Sequence, residues 1–218
     1  MNTRLGYLHK ILNIDSNHSS KGLLTNANQV LDVLKTTPSF LMVGTLEPRK
    51  GNAQTLQAFE QLWAKGIEVN LVMVGKQGWM VESLIDKIKK HPQLNKRLFW
   101  LDGISDEFLE LVYSHSTCLV AASEGEGFGL PLIEAAQKKL PIIARDIPVF
   151  KEVAGEHAYY FENSQEPEVI AKAIEEWLEL HKTNQHPKSD EMPWLTWKQS
   201  AEQLLSKVLS PQSVLLSR

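Results

Sequence analysis

"TCLVAASEGEGFGLPLIEAAQKKLPIIAR", Thr117 to Arg145, compresses an apolar run, a glycine-rich turn, a helix-period segment and a second apolar run into one short unit. The runs at 117–122 and 140–145 lack the in-out alternation of a half-exposed strand, so each reads as a strand buried on both faces. Between them Gly127 and Gly129 permit a sharp turn, and Pro131 suits the first turn of a helix over 130–139. Strand, helix, strand in this order calls for parallel pairing through a helical crossover.

The same alternation extends outward. Further strands are expected at 40–45, 69–75, 97–102 and 158–161, with helices at 53–65, 80–90, 106–114 and 148–153. The expected fold class is therefore α/β, a Rossmann-like doubly wound parallel sheet over residues 39–161. Beyond Phe161 the pattern is helical only: Val169, Ile170, Ala173, Ile174 and Leu178 fall at three-and-four spacing, and 196–209 repeats that kind of pattern after the proline-containing break 186–193. Residues 162–218 are expected to be helices packing on the sheet domain, with Trp194 and Trp197 folded against it. Residues 1–38 are polar and mixed and read as a linker.

Bulk properties exclude several function classes. The chain has 218 residues, 43% hydrophobic and 22% charged, enough for one large or two small domains with a real core. A net charge of −3 supplies no basic field for nucleic acid, so any anionic ligand must be held locally. The one cysteine, Cys118, sits in an apolar run and fits a buried thiol in a reducing compartment. No apolar run approaches the ~20 residues of a membrane helix and the N-terminus lacks a signal-peptide core, so a cytoplasmic location is expected.

In an open parallel sheet the ligand crevice lies beyond the carboxyl ends of the strands. Here those ends carry "GTLEPRKG", "GKQGW", "DGISDE" and "SEGEGFGLP". Gly44 and Gly75 close the first two strands, where a glycine serves either a tight turn or close approach of backbone to a ligand. The free amides before Leu130 form an anion seat. Glu126 stands before that turn and Glu134 one helical turn inside it, so both are expected to point into one crevice. Carboxylates there would repel phosphate but accept hydrogen bonds from sugar hydroxyls, which suggests a ligand with both groups. Acids that merely complement a helix N-terminus remain open as the plainer reading. Arg49 and Lys50 add positive charge on the same rim, suited to a diphosphate leaving group or, more plainly, to a solvated turn. Lys76 is a third, weaker cation. Neither a metal-ligand spacing nor a clustered histidine set is present, and His115 and His157 read as capping or packing residues.

These stretches resemble the retaining nucleotide-sugar glycosyltransferases of the GT-B fold, family 4, also called group 1. "SEGEGFGLPLIEAA" resembles that family's Glu-x7-Glu signature, and the resemblance runs from residue 39 to about residue 208. It looks closest to bacterial mannosyltransferase-like enzymes that build O-antigens and other surface polysaccharides. The resemblance implies the C-terminal, donor-binding domain. Glu126 would contact the transferred sugar; Gly127, Phe128, Gly129 and Leu130 would meet sugar and phosphate; Glu134 would hold the ribose; and Lys50 would bind donor phosphate. Thr45 stands where many members carry arginine, with Arg49 able to compensate, and Lys139 stands where many carry glycine, so a changed local turn is expected. The implied substrate is a nucleotide-diphosphate sugar, with GDP-mannose the leading candidate and no cofactor or metal.

In such enzymes an N-terminal domain binds the glycan or lipid-linked acceptor and supplies a catalytic histidine. Residues 1–38 cannot provide that domain; "LGYLHKILNID" resembles its end. The chain is therefore expected to be a donor half, an excised domain or a truncated product, with peripheral attachment to the inner face of the plasma membrane belonging to the full-length protein. Two rivals stay on the page. A non-catalytic binding or assembly module would have no physical need for the pair Glu126 and Glu134, and a nicotinamide enzyme is disfavoured because the first strand runs into "GTLEPRKG" instead of Gly-x-Gly-x-x-Gly.

Overall fold

The computed structural model describes residues 27–195 and 197–208. The six apolar runs form strands β1 (Ser39–Val43), β2 (Asn70–Val74), β3 (Leu98–Leu101), β4 (Cys118–Ala121), β5 (Ile142–Arg145) and β6 (Tyr159–Phe161). All pair in parallel in the order β3-β2-β1-β4-β5-β6. The helices are α1 (Ala27–Thr36), α2 (Asn52–Ala64), α3 (Glu82–Lys89), α4 (Asp106–His115), α5 (Leu130–Gln137), α6 (Pro148–Ala154), α7 (Pro167–Lys182) and α8 (Trp197–Val208). The expected strands and helices from 39 to 161 are all present, with strand ends trimmed by one or two residues.

The sheet is buried on both faces because its helices divide between them. On one face Leu56, Phe59 and Leu62 of α2, Leu84 and Ile88 of α3, and Ile170, Ile174 and Trp177 of α7 pack against Phe40, Leu71 and Met73. On the other, Val30 and Leu34 of α1, Phe108 and Val112 of α4, Leu132 of α5 and Phe150 of α6 pack against Leu41, Val72 and Leu119. Trp177 and Phe59 meet the ring of Phe40 edge-on at centroid distances of 5.7 and 5.6 Å, an arrangement that adds to simple burial. Each large apolar side chain so placed contributes roughly 1.5–3 kcal/mol. Cys118 is fully buried and burial pushes its thiol pKa up, so it is inert.

Two expectations about the chain's ends change. Ala27–Thr36 belongs to the domain and not to a linker: Val30, Leu31 and Leu34 are buried beneath it. Their three-and-four spacing is the signal, hidden by polar neighbours. The stretch "LGYLHKILNID" lies outside the described residues. At the other end α7 packs as expected, but α8 does not: Leu204, Leu205 and Val208 are exposed, and so is Trp194. The segment 186–193 itself packs on the domain, with Ser189 Oγ donating to Leu140 O at 2.7 Å and Met192 buried in the core, but the apolar side chains of α8 that follow it stay exposed. Burial and exposure of the Trp197 side chain lie outside the description.

Lys139 follows the end of α5 in an unusual backbone conformation. It adopts φ 57°, with Lys139 N donating to Ala136 O and Leu140 N to Ala135 O after the end of α5. A lysine is thus held in a left-handed turn at a cost of roughly 1–2 kcal/mol, a position where glycine would carry no such cost.

Gly75 is fixed by sterics. It has φ 150°, and a methyl group on it would lie 2.0 Å from the carbonyl oxygen of Gly44. Gly66 has φ 79° and open space around it. Gly66→Ala is expected to cost about 1 kcal/mol for the left-handed backbone alone. Gly75→Ala is expected to cost about 1–3 kcal/mol more, because the clash is with backbone. Urea denaturation of the two variants measures the difference.

Candidate functional site

The strand order reverses direction between β1 and β4, and the loops leaving these two strands diverge to opposite faces. A doubly wound sheet opens its crevice at that switch point. After β1 the chain turns at Gly44, makes a short 3-10 turn at Pro48–Lys50 and enters α2 through Gly51, φ 72°. After β4 it passes through Ser123 to Gly129, φ 86°, which caps α5 with Pro131 in the first turn.

The two loops are stitched together. Glu124 N donates to Arg49 O at 2.8 Å, and Arg49 Nη1 donates to Gly125 O at 2.9 Å. A methyl group on Gly51 would lie 2.4 Å from Ala122 O, so glycine lets the β1 loop touch the end of β4. Beneath them Arg145 is fully buried. Its Nε donates to Ala122 O at 3.0 Å, and its Nη2 donates to Gln54 Oε1 on α2. Burial lowers the Arg145 pKa, with the charge of Glu124 opposing. Its guanidinium also lies over the Phe161 ring at 5.2 Å. The sequence reading took Arg145 as a strand end; its charge disguised a core position.

Across the crevice the charged side chains converge on Glu126. Lys50 Nζ donates to Glu126 Oε1, Ser123 Oγ donates to the same oxygen at 2.8 Å, and Arg49 Nη1 donates to Oε2 at 3.2 Å. Arg49 Nη2 also pairs with Glu47 Oε2 at 3.1 Å. Burial alone would raise the Glu126 pKa, but the hydrogen bonds from Lys50 and Ser123, the Lys50 charge and the Arg49 hydrogen bond outweigh it and hold the carboxyl below its ordinary value. The cations expected to face an anion are therefore balanced by Glu126 and Glu47 in this state.

Glu134 is held differently from Glu126. Its Oε2 accepts a 2.6 Å hydrogen bond from Tyr113 Oη of α4, which leaves Oε1 outside that bond. Burial first, and then the Glu134 charge and hydrogen bond, push the Tyr113 pKa well above its ordinary value, so the phenol stays a donor. Tyr113 escaped the sequence reading because its partner is on another helix. Glu126, Lys50, Gly44, Ser123 and Gly129 line a cavity of about 30 Å³ in the crevice floor; Glu134 is not part of that lining.

The remaining site candidates divide. Phe128 and Leu130 are exposed, 56% and 46%, and make an apolar lip beside Gly127. Trp79 and Met80 after β2 are exposed as well. Lys76 is exposed at the next loop. Gly75 has a sufficient structural reason in its contact with Gly44, and its carbonyl accepts from Trp100 Nε1 at 2.9 Å. His115 and His157 hydrogen-bond to the carbonyls of Leu111 and Lys188. Among the described residues no group of three or more His, Cys, Asp or Glu side chains is placed to hold a metal ion, and no helix is long and apolar enough to cross a membrane.

Residues 25–190 match the model of the glycosyl transferases group 1, and the chain belongs to that family. It is 60% identical over 200 residues to the serotype-specific mannosyltransferase WbdA of Escherichia coli, covering 92% of this chain and 24% of WbdA. It is 31% identical over 121 residues to the O-antigen chain mannosyltransferase RfbU of Salmonella typhimurium, covering 56% of this chain and 33% of RfbU. The chain thus spans about a quarter of the WbdA relatives. Anabaena Alr3699/HepE, solved in complex with UDP and glucose, shares the fold with TM-score 0.62 and 17% identity over 83% of this chain and 46% of that one. The six-stranded sheet and its helices match one half of GT-B glycosyltransferases.

Lys50 and Glu126 have side chains only 18% and 12% exposed, so their pairing is expected to register in stability. A double-mutant cycle with Lys50→Met and Glu126→Gln should give a coupling of about 1–3 kcal/mol at pH 7 in urea unfolding. Because the folded carboxyl titrates below its unfolded value of about 4.3, the Glu126 share is complete above that pH. It is lost as pH falls through the lower, folded value. Repeating the cycle in acid checks the sign.

Proposed function

We propose that this chain is the nucleotide-sugar-binding half of a retaining mannosyltransferase, using GDP-mannose in the synthesis of a cell-surface polysaccharide. The observation that carries the reading is the cluster of Arg49, Lys50 and Glu126 beside the α5 N-terminus at the β1–β4 switch point. The 60% identity to WbdA supports a mannosyl donor, and the neighbour solved with UDP and glucose supports a sugar nucleotide as the ligand class.

The geometry suggests how these residues would work. A diphosphate arriving at the α5 start would compete with Glu126 for Lys50 and Arg49, since phosphate oxygens accept charge-assisted hydrogen bonds as carboxylates do. Glu126, partly released, would then accept from hydroxyls of the sugar. As the glycosidic bond breaks, negative charge grows on the departing diphosphate, and Lys50, Arg49 and the helix amides would stabilise it in place. Retention would follow from attack of the acceptor on the leaving-group face, with a phosphate oxygen taking the acceptor proton. Glu134, oriented by Tyr113, would offer its free oxygen to the ribose.

The acceptor, glycan or lipid-linked, would be held by a second domain of a longer protein working at the cytoplasmic face of the membrane. Turnover would need that domain, because positioning two substrates in a dry cleft supplies much of the rate.

Calorimetric titration of the chain with GDP, UDP, ADP, GDP-mannose and UDP-glucose tests the reading. Selective binding of the guanine ligands is expected, weakened ~10–100-fold in Lys50→Ala by loss of a charge-assisted hydrogen bond. Glu126→Ala should weaken GDP-mannose more than GDP, whereas Glu134→Ala should weaken both. Equal losses in the two glutamate variants would contradict their separate roles.

A further inference from the structure

Asn52 is the first residue of α2, directly after left-handed Gly51. It is 4% exposed, and its Oδ1 is buried with no hydrogen-bond partner. Its Nδ2 has Met42 Sδ at 3.7 Å, and a thioether is a weak acceptor. A buried amide oxygen left unpaired costs free energy comparable with a lost hydrogen bond, so native proteins rarely keep one without a reason. Capping does not supply the reason, because an acceptor that caps a helix would hold one of its first amides.

The surroundings of Asn52 do supply one. Its side chain lines the same 30 Å³ cavity as Gly44, Lys50, Ser123 and Glu126, and helical side chains lean toward the N-terminus of their helix, here toward the crevice. A space of that size admits one oxygen-centred group. The walls thus present an ammonium donor, Lys50, and two acceptors, Glu126 and the Asn52 amide oxygen. A phosphate oxygen, which cannot donate, leaves the Asn52 oxygen unpaired even where it takes Lys50, whereas a hydroxyl can donate to Asn52.

We propose that Asn52 is a specificity-determining residue of this site, its Oδ1 accepting a hydrogen bond from an O–H group seated in the cavity that Asn52 lines together with Lys50 and Glu126. The inference rests on the donor-site reading above and adds a residue to it. The O–H comes from one of two sources, a hydroxyl of the bound sugar or a water that the ligand orders. A site built to pair with a hydroxyl discriminates strongly against ligands that lack it, since its own polar groups are then stranded.

Asn52→Leu, which keeps the number and branching of the side-chain heavy atoms but is bulkier and lacks the acceptor, provides the test. Wild type and variant are titrated calorimetrically with the pairs GDP and GDP-mannose, and UDP and UDP-glucose, and their thermal unfolding is followed in parallel. A roughly tenfold or greater loss for the sugar nucleotide, with the bare nucleotide unchanged, assigns the O–H to the sugar. Equal losses for both members of the pair assign it to an ordered water. Unchanged binding of both, with Tm equal or raised, overturns the proposal and makes Asn52 a packing defect. Should Asn52→Leu not fold, Asn52→Ala removes the acceptor without adding bulk and is read in the same way. Wild type that binds neither pair defeats the donor-site reading and this proposal together; wild type that binds while both variants match it defeats this proposal alone.

Discussion

The ion pair between Lys50 and Glu126 is the interaction on which the crevice depends. It joins a loop that leaves β1 for one face of the sheet to a loop that leaves β4 for the other, its partners 76 positions apart in the chain. Divergence is imposed by the strand order, so past Ala122 the backbone bond from Glu124 N to Arg49 O needs side chains to help hold these loops together. The charge pair does so, helped by the Ser123 hydroxyl and by Arg49, which reaches both Glu126 and the Gly125 carbonyl. Partial burial makes the pair worth more than a surface bridge, and it also makes either partner costly to leave alone.

Support for that pair comes from below. Gly51 lets the β1 loop lie on the Ala122 carbonyl, and Arg145 takes that same carbonyl from the core side while gripping Gln54 on α2. A charged group in the core is therefore neutralised by carbonyl and amide dipoles instead of a carboxylate. The result is a rigid floor under a mobile exchange of charges, which is what a site needs if a diphosphate is to replace Glu126 without remodelling the fold.

Much of this was legible from the residues. Burial of every strand on both faces forces long apolar runs, so the sheet stood out, and strand ends in a doubly wound fold concentrate functional residues, so Lys50, Glu126 and Glu134 stood out with it. What was not legible is pairwise and three-dimensional. Tyr113 meets Glu134 from a different helix. Arg145 reads as a polar strand end although it is buried, because its partners are backbone carbonyls scattered along the chain. Lys139 keeps a left-handed turn that its side chain disfavours. The helix Ala27–Thr36 was lost among polar neighbours, and the amphipathic pattern of Trp197–Val208 suggested burial, although Leu204, Leu205 and Val208 are exposed.

The central claim is that Lys50 and Glu126 form the pair that a bound diphosphate displaces. Carboxyl carbon NMR of Glu126 tests it directly, with pH titrations of the chain alone and with saturating sugar nucleotide. The account predicts a Glu126 pKa below the ordinary glutamate range in the free chain, moving upward when ligand is bound, as Lys50 turns to phosphate and new negative charge arrives nearby. An ordinary value in the free chain, or one that ligand leaves unmoved, would contradict it.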